Sequence, residues 1–516
     1  MAKINLDALL PREDFETVGN KFQNAQINQL SVRDLISPVF YQVLRKPDFQ
    51  RETNEWDSKK IVEFIESFLE GDLIPSIILW RSESGLIFVI DGAHRLSALI
   101  SWIYDDYGDG KISKEFYEND LPADQIKYAH STRNLINKRI GGYQDIEAAS
   151  LENASSADYI KKSNNIAVNA VQVQWVSGNA QKAEHSFFNI NQKASKIDRT
   201  ELKLLESRKK ANCISARAII RGGKGHKYWS NFSAENQAEI QRLSREIHEI
   251  LFTPQLTTPV KTMDIPIGGK VSSAQTLPLI LEFVNQVNNV PKEFKDTLND
   301  DSDGGGTVTY LKVARKIAWR INSVHASSLG LHPIIYFYSR EGKYKSASFN
   351  AITSFVLELI RQKKLKEFVE ARSEFENFIL NSDYVTQQIN RKYRSASKGL
   401  PHIIRFYFSM LENINQGYDY KTSINQIVAT QEFNYIVLTD EVAEGPSNRS
   451  NFDNNSKAAV FINEALQNGI KCKICRGLIH KNSITIDHVQ KKEEGGLGTL
   501  ENGQLAHPYC NTTFKN

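Results

Sequence analysis

The chain has 516 residues but little cysteine: Cys213, Cys472, Cys475 and Cys510 are all of it, and three of these fall within the last 45 residues. So few and so clustered, they exclude a secreted disulfide framework and suit a local metal site in a reducing compartment. No apolar run approaches the roughly 18 to 20 residues needed to span a bilayer. The opening stretch MAKINLDALLPREDF lacks the basic and apolar regions of a signal peptide, so the expected location is the cytoplasm. Excess charge of one sign is also missing, since 64 Lys+Arg against 60 Asp+Glu leave a formal +4. That total does not announce a nucleic-acid binder. There is no internal repeat of fixed period and no long low-complexity tract. What remains is ordinary globular composition, 41% hydrophobic and 24% charged, with 10% aromatic residues excluding a wholly disordered chain. The length argues for roughly two to four domains.

Two breaks punctuate the chain. LNDDSDGGGT, with an acidic stretch meeting glycines at Asp300 to Gly306, predicts a flexible loop or domain linker, and AEGPSNRSNFDNNSK, Ala443 to Lys457, predicts a tether. SKKIVEFIESFLEGD places Ile61, Phe64, Ile65 and Phe68 on one helical face between a cap-like Ser58 and the stop Gly71. SIILW and GLIFVI, separated by RSES, predict two strands of a hairpin or small sheet, the second ending at Asp91. Helical spacing resumes after His94, so DGAHR sits at a strand-to-helix junction. Residues 235–252, 274–290, 350–382 and 402–415 carry helical periodicity, and the middle is expected to be mostly α.

The strongest chemical signal is KCKICRGLIHKNSITIDHVQKKEEGGLGTLENGQLAHPYCNTTF. Cys472 and Cys475 form one C-x-x-C knuckle and His507 and Cys510 a second pair, together the four ligands that tetrahedral Zn²⁺ requires. Such a structural site holds together a module too small for its own core. Between the knuckles lie a β-like run ending in Asp487 and His488, a glycine-rich turn, and LENGQLAHPYCN, which reads as a helix entry. His480 reads as a loop histidine.

This order of motifs resembles the ββα-metal fold of HNH endonucleases. The resemblance implies that His488 is the general base of phosphodiester hydrolysis, that Asp487 and Asn511 hold a catalytic Mg²⁺ or Mn²⁺, and that Asn502 braces the loop orienting the base. A histidine suits that role because its ordinary pKa, about 6.5, lets it accept a proton near neutral pH. His507 stands where many relatives have Cys. A zinc ribbon that binds without cutting is the competing reading, but it has no need of an adjacent Asp-His and a trailing Asn.

Near the other end, PDFQRETNEW, IPSIIL and VIDGAHRLSALISW, with AEHSFFNINQKASKIDRTEL further on, resemble the ParB/sulfiredoxin-like domain of DGQQR or DGQHR type found in GmrSD- and SspE-type defence nucleases. A strand ending in Asp91-Gly92 lets a backbone approach a ligand, and the helix N-terminus that follows offers N–H groups to an anion that Arg51 and Arg95 can clamp. The resemblance implies a nucleotide-binding or sensor pocket drawn from Gln50, Arg51, Asp91, Gly92, His94, Arg95 and Asn191, taking GTP or ATP and coupled to recognition of modified DNA. Ala93 replaces a polar residue of that signature, which leaves binding rather than hydrolysis as the expectation.

The fold class expected is therefore α+β and multidomain: a ParB/sulfiredoxin-like sensor over 10–240, a helical linker or regulatory domain over 241–442, a flexible tether over 443–457, and a ββα-metal HNH module over 458–516. The function expected is a metal-dependent DNA endonuclease of anti-phage defence. The partners are DNA and a nucleotide but no membrane, and a homodimer would ease a double-strand cut. The alternatives are a DNA-binding regulator or adaptor that does not cleave, and a nucleotide-gated toxin. Charge is uneven beneath the total, with +6 over residues 201–228 and +3 over 471–516. Cys213, inside the first island, reads as a packed thiol.

Overall fold

The apolar runs before Asp91 become two strands of a sheet whose two faces are both covered. In the computed structural model, which describes residues 3–15, 27–50, 52–149, 156–194, 199–271, 275–439 and 451–515, six strands lie in the order β1-β3-β5-β4-β6-β2. They are β1 (Arg12–Glu13), β2 (Gln29–Ser31), β3 (Leu44–Pro47), β4 (Ile77–Arg81), β5 (Ile87–Asp91) and β6 (Ala170–Trp175). β4 and β5 form the expected antiparallel hairpin, while β3 joins β5 and β6 joins β4 in parallel. Strand alternation sends Ile77, Leu79, Ile87 and Val89 into one core and Trp80, Phe88 and Ile90 into another. With no face left to solvent, these strands read as unbroken apolar runs. Helices Ser58–Glu70 and Ala93–Ile103 close the larger core with Ile61, Ile65, Phe68, Leu96, Leu99 and Trp102. The first of these is capped by Asp57, whose side chain accepts from Lys60 N–H, rather than by Ser58, and it stops at Gly71 in the left-handed region.

The described chain divides into two compact units, Met1–Arg208 with Lys224–Tyr228, and Lys209–Gly223 with Trp229–Asn516. The helical middle and the C-terminal module thus share one unit. Its helices include Ala234–Phe252, Thr276–Val287, Gly305–Ile321, Ser346–Arg361, Leu365–Asn381 and Ala396–Asn415. The periodicity over 350–382 belongs to two helices, broken where Lys363 takes a φ of 60° and Lys364 N–H returns to the Leu359 carbonyl. Aromatic stacking knits them together: Phe355 lies parallel to Phe375 at 5.2 Å, and Tyr407 meets both edge-on. The stretch Asp300 to Gly306 is no linker. The Asp301 carboxylate accepts from the N–H of Gly304 (3.1 Å) and Thr307 (2.7 Å) and so starts the next helix inside the same unit.

Residues 443–450 of the expected tether lie outside the described residues, and 454–457 open the helix Asn454–Asn468, capped by Asp453. The +6 island is consumed within the fold. Arg208 pairs with Asp48 at 2.7 Å and Glu184 at 2.8 Å, Lys224 with Asp120 at 2.6 Å, and Lys210 with Asp300 at 3.6 Å. Arg217 and Cys213 are buried. Among the described residues no helix is long and apolar enough to cross a membrane.

Gly92 caps the helix after β5 with a φ of 99°, and a Cβ there would lie 2.9 Å from Ile77 Cγ1. Gly92→Ala should therefore destabilise the N-terminal unit by about 1–3 kcal/mol, read as a lowered midpoint in denaturant titration followed by tryptophan fluorescence.

Candidate functional site

The two knuckles predicted from spacing converge. Cys472, Cys475, His507 and Cys510 are all buried, and their ligating atoms lie within 4.8 Å of one another. The first knuckle turns because Arg476 adopts a φ of 64° and its N–H bonds to the Cys472 carbonyl at 3.0 Å. The second is anchored where Tyr509 N–H bonds to the Ser328 carbonyl at 2.9 Å. His507 Nε2 lies 3.0 Å from the Leu478 carbonyl, an acceptor only an N–H can satisfy, so the Nδ1 lone pair is left facing Cys475 Sγ at 3.2 Å. Hydrogen bonds from Cys475 and Cys510 hold the Cys472 thiol well below its ordinary pKa, against burial that raises it. Three thiols and one imidazole in this arrangement fit Zn²⁺.

Three thiolates around a divalent ion leave one negative charge, and the helical part of the unit answers it. Arg372, on helix Leu365–Asn381, is fully buried. It donates to the carbonyls of Leu329 (2.6 Å) and Gly330 (2.9 Å) and to Glu376 (2.7 Å), and lies 3.2 Å from His507 Nδ1. Gly330 permits this approach: it has a φ of 60°, and a Cβ on it would lie 2.8 Å from Ser483 Oγ. His480 lies in a loop, as expected, but is fully buried there, its Nδ1 3.1 Å from Asn322 Oδ1, and burial pushes its pKa down to about 4.

On this platform stand β7 (Thr485–His488) and β8 (Gly503–Ala506), paired antiparallel with His488 opposite Gly503 and Asp487 opposite Gln504. Within LENGQLAHPYCN, Gly503–Ala506 is strand paired against β7, and the expected helix entry comes after it, at Pro508 and Tyr509, continuing into the turn Cys510–Phe514. Asp487 is buried and accepts from Gln504 Nε2 at 2.7 Å and Lys515 Nζ at 2.9 Å, while His488 is half-buried. Lys515 also donates to the His488 carbonyl. Asn502 fastens the intervening loop: its Oδ1 accepts Gln490 N–H (2.7 Å), and its Nδ2 donates to the carbonyls of Gln490 (3.2 Å) and Leu497 (2.8 Å). Asn511 Nδ2 reaches the Ile486 carbonyl at 3.2 Å. Gln504, Lys515 and Arg372 were missed from sequence. A trailing lysine carries no pattern, and Arg372 lies 135 positions from His507.

At the other end, Asp91, Gly92, His94 and Arg95 share the β5-to-helix junction. Arg95 is drawn onto Asp91 at 2.6 Å and onto the Ser76 carbonyl at 3.2 Å. His94 stacks on Trp56 with centroids 5.8 Å apart, and its Nε2 accepts from Glu55 N–H at 3.4 Å. Gln50 is buried. Arg51 and the side chain of Asn191 lie outside the described residues.

Residues 472–516 match the family model of the HNH endonuclease, which makes the protein a nuclease. Residues 32–253 match that of the GmrSD restriction endonuclease, N-terminal domain. The chain thus joins a GmrSD-type N-terminal domain to a C-terminal HNH endonuclease domain, and is a DNA endonuclease of a restriction system. Comparison with curated proteins and with solved structures gave no match.

Replacing Arg372 by Leu leaves the Leu329 and Gly330 carbonyls without their donor and Glu376 with Tyr336 alone, and should weaken zinc retention about 10- to 100-fold, measured as release to a chromogenic chelator. His480 gives a pH dependence. Its pKa near 4 in the fold lies below the ordinary 6.5, so the unfolded chain takes up the proton first. The second unit should lose stability as pH falls from 6.5 towards 4, and His480→Gln should lessen that loss in urea titrations at about pH 5.

Proposed function

We propose that this is a cytoplasmic restriction enzyme whose C-terminal hairpin hydrolyses DNA phosphodiesters and whose N-terminal domain senses DNA modification, a nucleoside triphosphate, or both. The observation that carries the reading is the placement of Asp487 and His488 on one short strand, with the buried carboxylate held from below and the imidazole left half-open to solvent. A general base must reach a water molecule while keeping a fixed orientation, and a strand closed by an Asn502-braced loop supplies both. His488 takes the proton of the attacking water. Asp487 and Asn511 supply a carboxylate and an amide, donors suited to a hard cation such as Mg²⁺ or Mn²⁺. Such a cation would neutralise charge on the scissile phosphate and leaving oxygen. Lys515, 2.9 Å from the Asp487 carboxylate, holds that group in place.

The sensor assignment, with its ParB/sulfiredoxin-like fold, is supported by the DGAHR junction and by unmet polar demand just after β3, the strand that pairs with β5. Asp48 Oδ1 and Gln50 Oε1 are buried without a hydrogen-bond partner among the described residues, as a pocket awaiting a polar ligand requires. In that pocket Arg95 exchanges Asp91 for phosphate beside His94, and the family resemblance adds Arg51 and Asn191 as further ligand-binding residues. A dimer would bring one hairpin to each DNA strand.

His488→Ala should lower plasmid nicking in Mg²⁺ or Mn²⁺ by about 10²- to 10⁴-fold with zinc content unchanged. Full cleavage by the purified variant overturns the assignment, and salt-dependent binding by the wild-type chain with no scission in any divalent metal identifies a binding adaptor instead. Matched modified and unmodified DNA, with and without GTP or ATP, tests the sensor.

A further inference from the structure

The Asp487 carboxylate is held by two donors on the same oxygen, one neutral and one charged. Gln504 Nε2 reaches Oδ2 at 2.7 Å from the paired strand, and Lys515 Nζ reaches it at 2.9 Å from beyond the C-terminal turn. Gln504, directly opposite in the β7–β8 register, already fixes the buried group. Lys515 adds what orientation does not need, a full positive charge. That charge is firmly seated. Besides Oδ2, the ammonium donates to the carbonyls of His488 and, at 3.3 Å, Val489, so its three N–H groups meet three oxygens of consecutive residues. Its side chain is only 21% exposed, and Asp487 is its sole ion-pair partner among the described residues. The backbone puts it there, since Lys515 N–H bonds to the carbonyl of the knuckle residue Cys510 at 3.2 Å. Asn511, four residues earlier, reaches the Ile486 carbonyl at 3.2 Å, so both side chains meet β7.

A carboxylate and two carbonyls are the oxygen donors that a hard metal cation takes, and here they surround a cation that belongs to the chain. We propose that Lys515 is a tethered cation that competes with the divalent ion for Asp487 and thereby sets the metal concentration at which the hairpin becomes active. This rests on the nuclease reading above and adds to it a residue that tunes metal loading. Two cations on one largely desolvated carboxylate repel each other, so the ion binds more weakly with Lys515 in place than without it. A residue that only held Asp487 would act in the same direction as Gln504. A competitor acts in the opposite one, so the two donors on Oδ2 have opposite effects on metal binding.

The test titrates Mn²⁺ into the full, zinc-loaded chain and follows the electron paramagnetic resonance of the free ion, with Asp487→Asn defining the binding that belongs to this site. Lys515→Met should tighten that binding about tenfold and lower the Mn²⁺ needed for half-maximal plasmid nicking by a similar factor. Gln504→Leu should weaken it. Lys515→Arg, which keeps the charge, should bind Mn²⁺ less tightly than Lys515→Met. Zinc content equal to the wild type shows that each variant is folded. Should Lys515→Met lose zinc, Lys515→Gln removes the charge while keeping a donor for the carbonyls. Unchanged or weaker Mn²⁺ binding in the uncharged variant overturns the competition while leaving the nuclease intact. A wild-type chain and an uncharged variant that both show no Asp487-dependent Mn²⁺ binding and no nicking overturn the nuclease reading, and the competition with it.

Discussion

A single buried cation holds the catalytic end of this protein in place. Arg372 has no solvent, so its charge must be met inside the fold, and it is met by Glu376, by the carbonyls of Leu329 and Gly330, and by the Cys/His cluster at His507. An uncompensated guanidinium in such a place costs several kcal/mol, so the cluster and the helix that carries Arg372 stabilise one another. Neither is complete alone: the cluster would keep an excess negative charge, and Arg372 would keep Glu376 of its own helix but lose the Leu329 and Gly330 carbonyls and the cluster. This mutual dependence accounts for the C-terminal module and the helical middle forming one compact unit, with Ser328 and Ser483 (2.9 Å) and Asn322 and His480 (3.1 Å) adding polar contacts across the same join.

From that anchor the order of the hairpin follows. The metal ligands precede β7 and follow β8, so closing the cluster also closes the ends of the hairpin and sets its register. A slip of one residue would exchange the buried Asp487 for its exposed neighbours and separate it from Gln504 and Lys515. Asn502 does at the far end of the hairpin what the cluster does at the near end. Asp487 and His488 are thus held between two fixed points, and the half-buried His488 owes its orientation to both.

Charge is distributed by the same economy. Of the cations in residues 201–228, Arg208, Lys210 and Lys224 are paired with carboxylates and Arg217 is buried, so much of the local +6 is met within the units themselves. In the C-terminal module Lys515 pairs with Asp487, while Lys471, Lys473, Arg476, Lys481, Lys491 and Lys492 form no ion pair among the described residues. A global +4 conceals this difference, since it counts charges without regard to what they face.

Local rules made much of the protein legible from sequence. Hairpin β4–β5, helix Ser58–Glu70 with its Gly71 stop, the DGAHR junction and the four knuckle residues depend on neighbours a few positions apart, or on a ligand spacing that only a metal explains. Where reading fell short, a partner elsewhere in the fold had added to a local signal. Asp300 to Gly306 read as a flexible loop or a linker, and it is a loop inside one unit whose Asp301 starts the next helix; the helix entry read in LENGQLAHPYCN comes at Pro508, after pairing with β7 has made Gly503–Ala506 strand; His480 is the loop residue expected, but Asn322 takes it inside. The sequence by itself determined which residues bear the chemistry, because ligand type and motif order are written in short stretches of chain. Only the tertiary structure decided what holds them, because the charge balancing the metal site is carried 135 residues away by Arg372, a distance that no periodicity or motif can span.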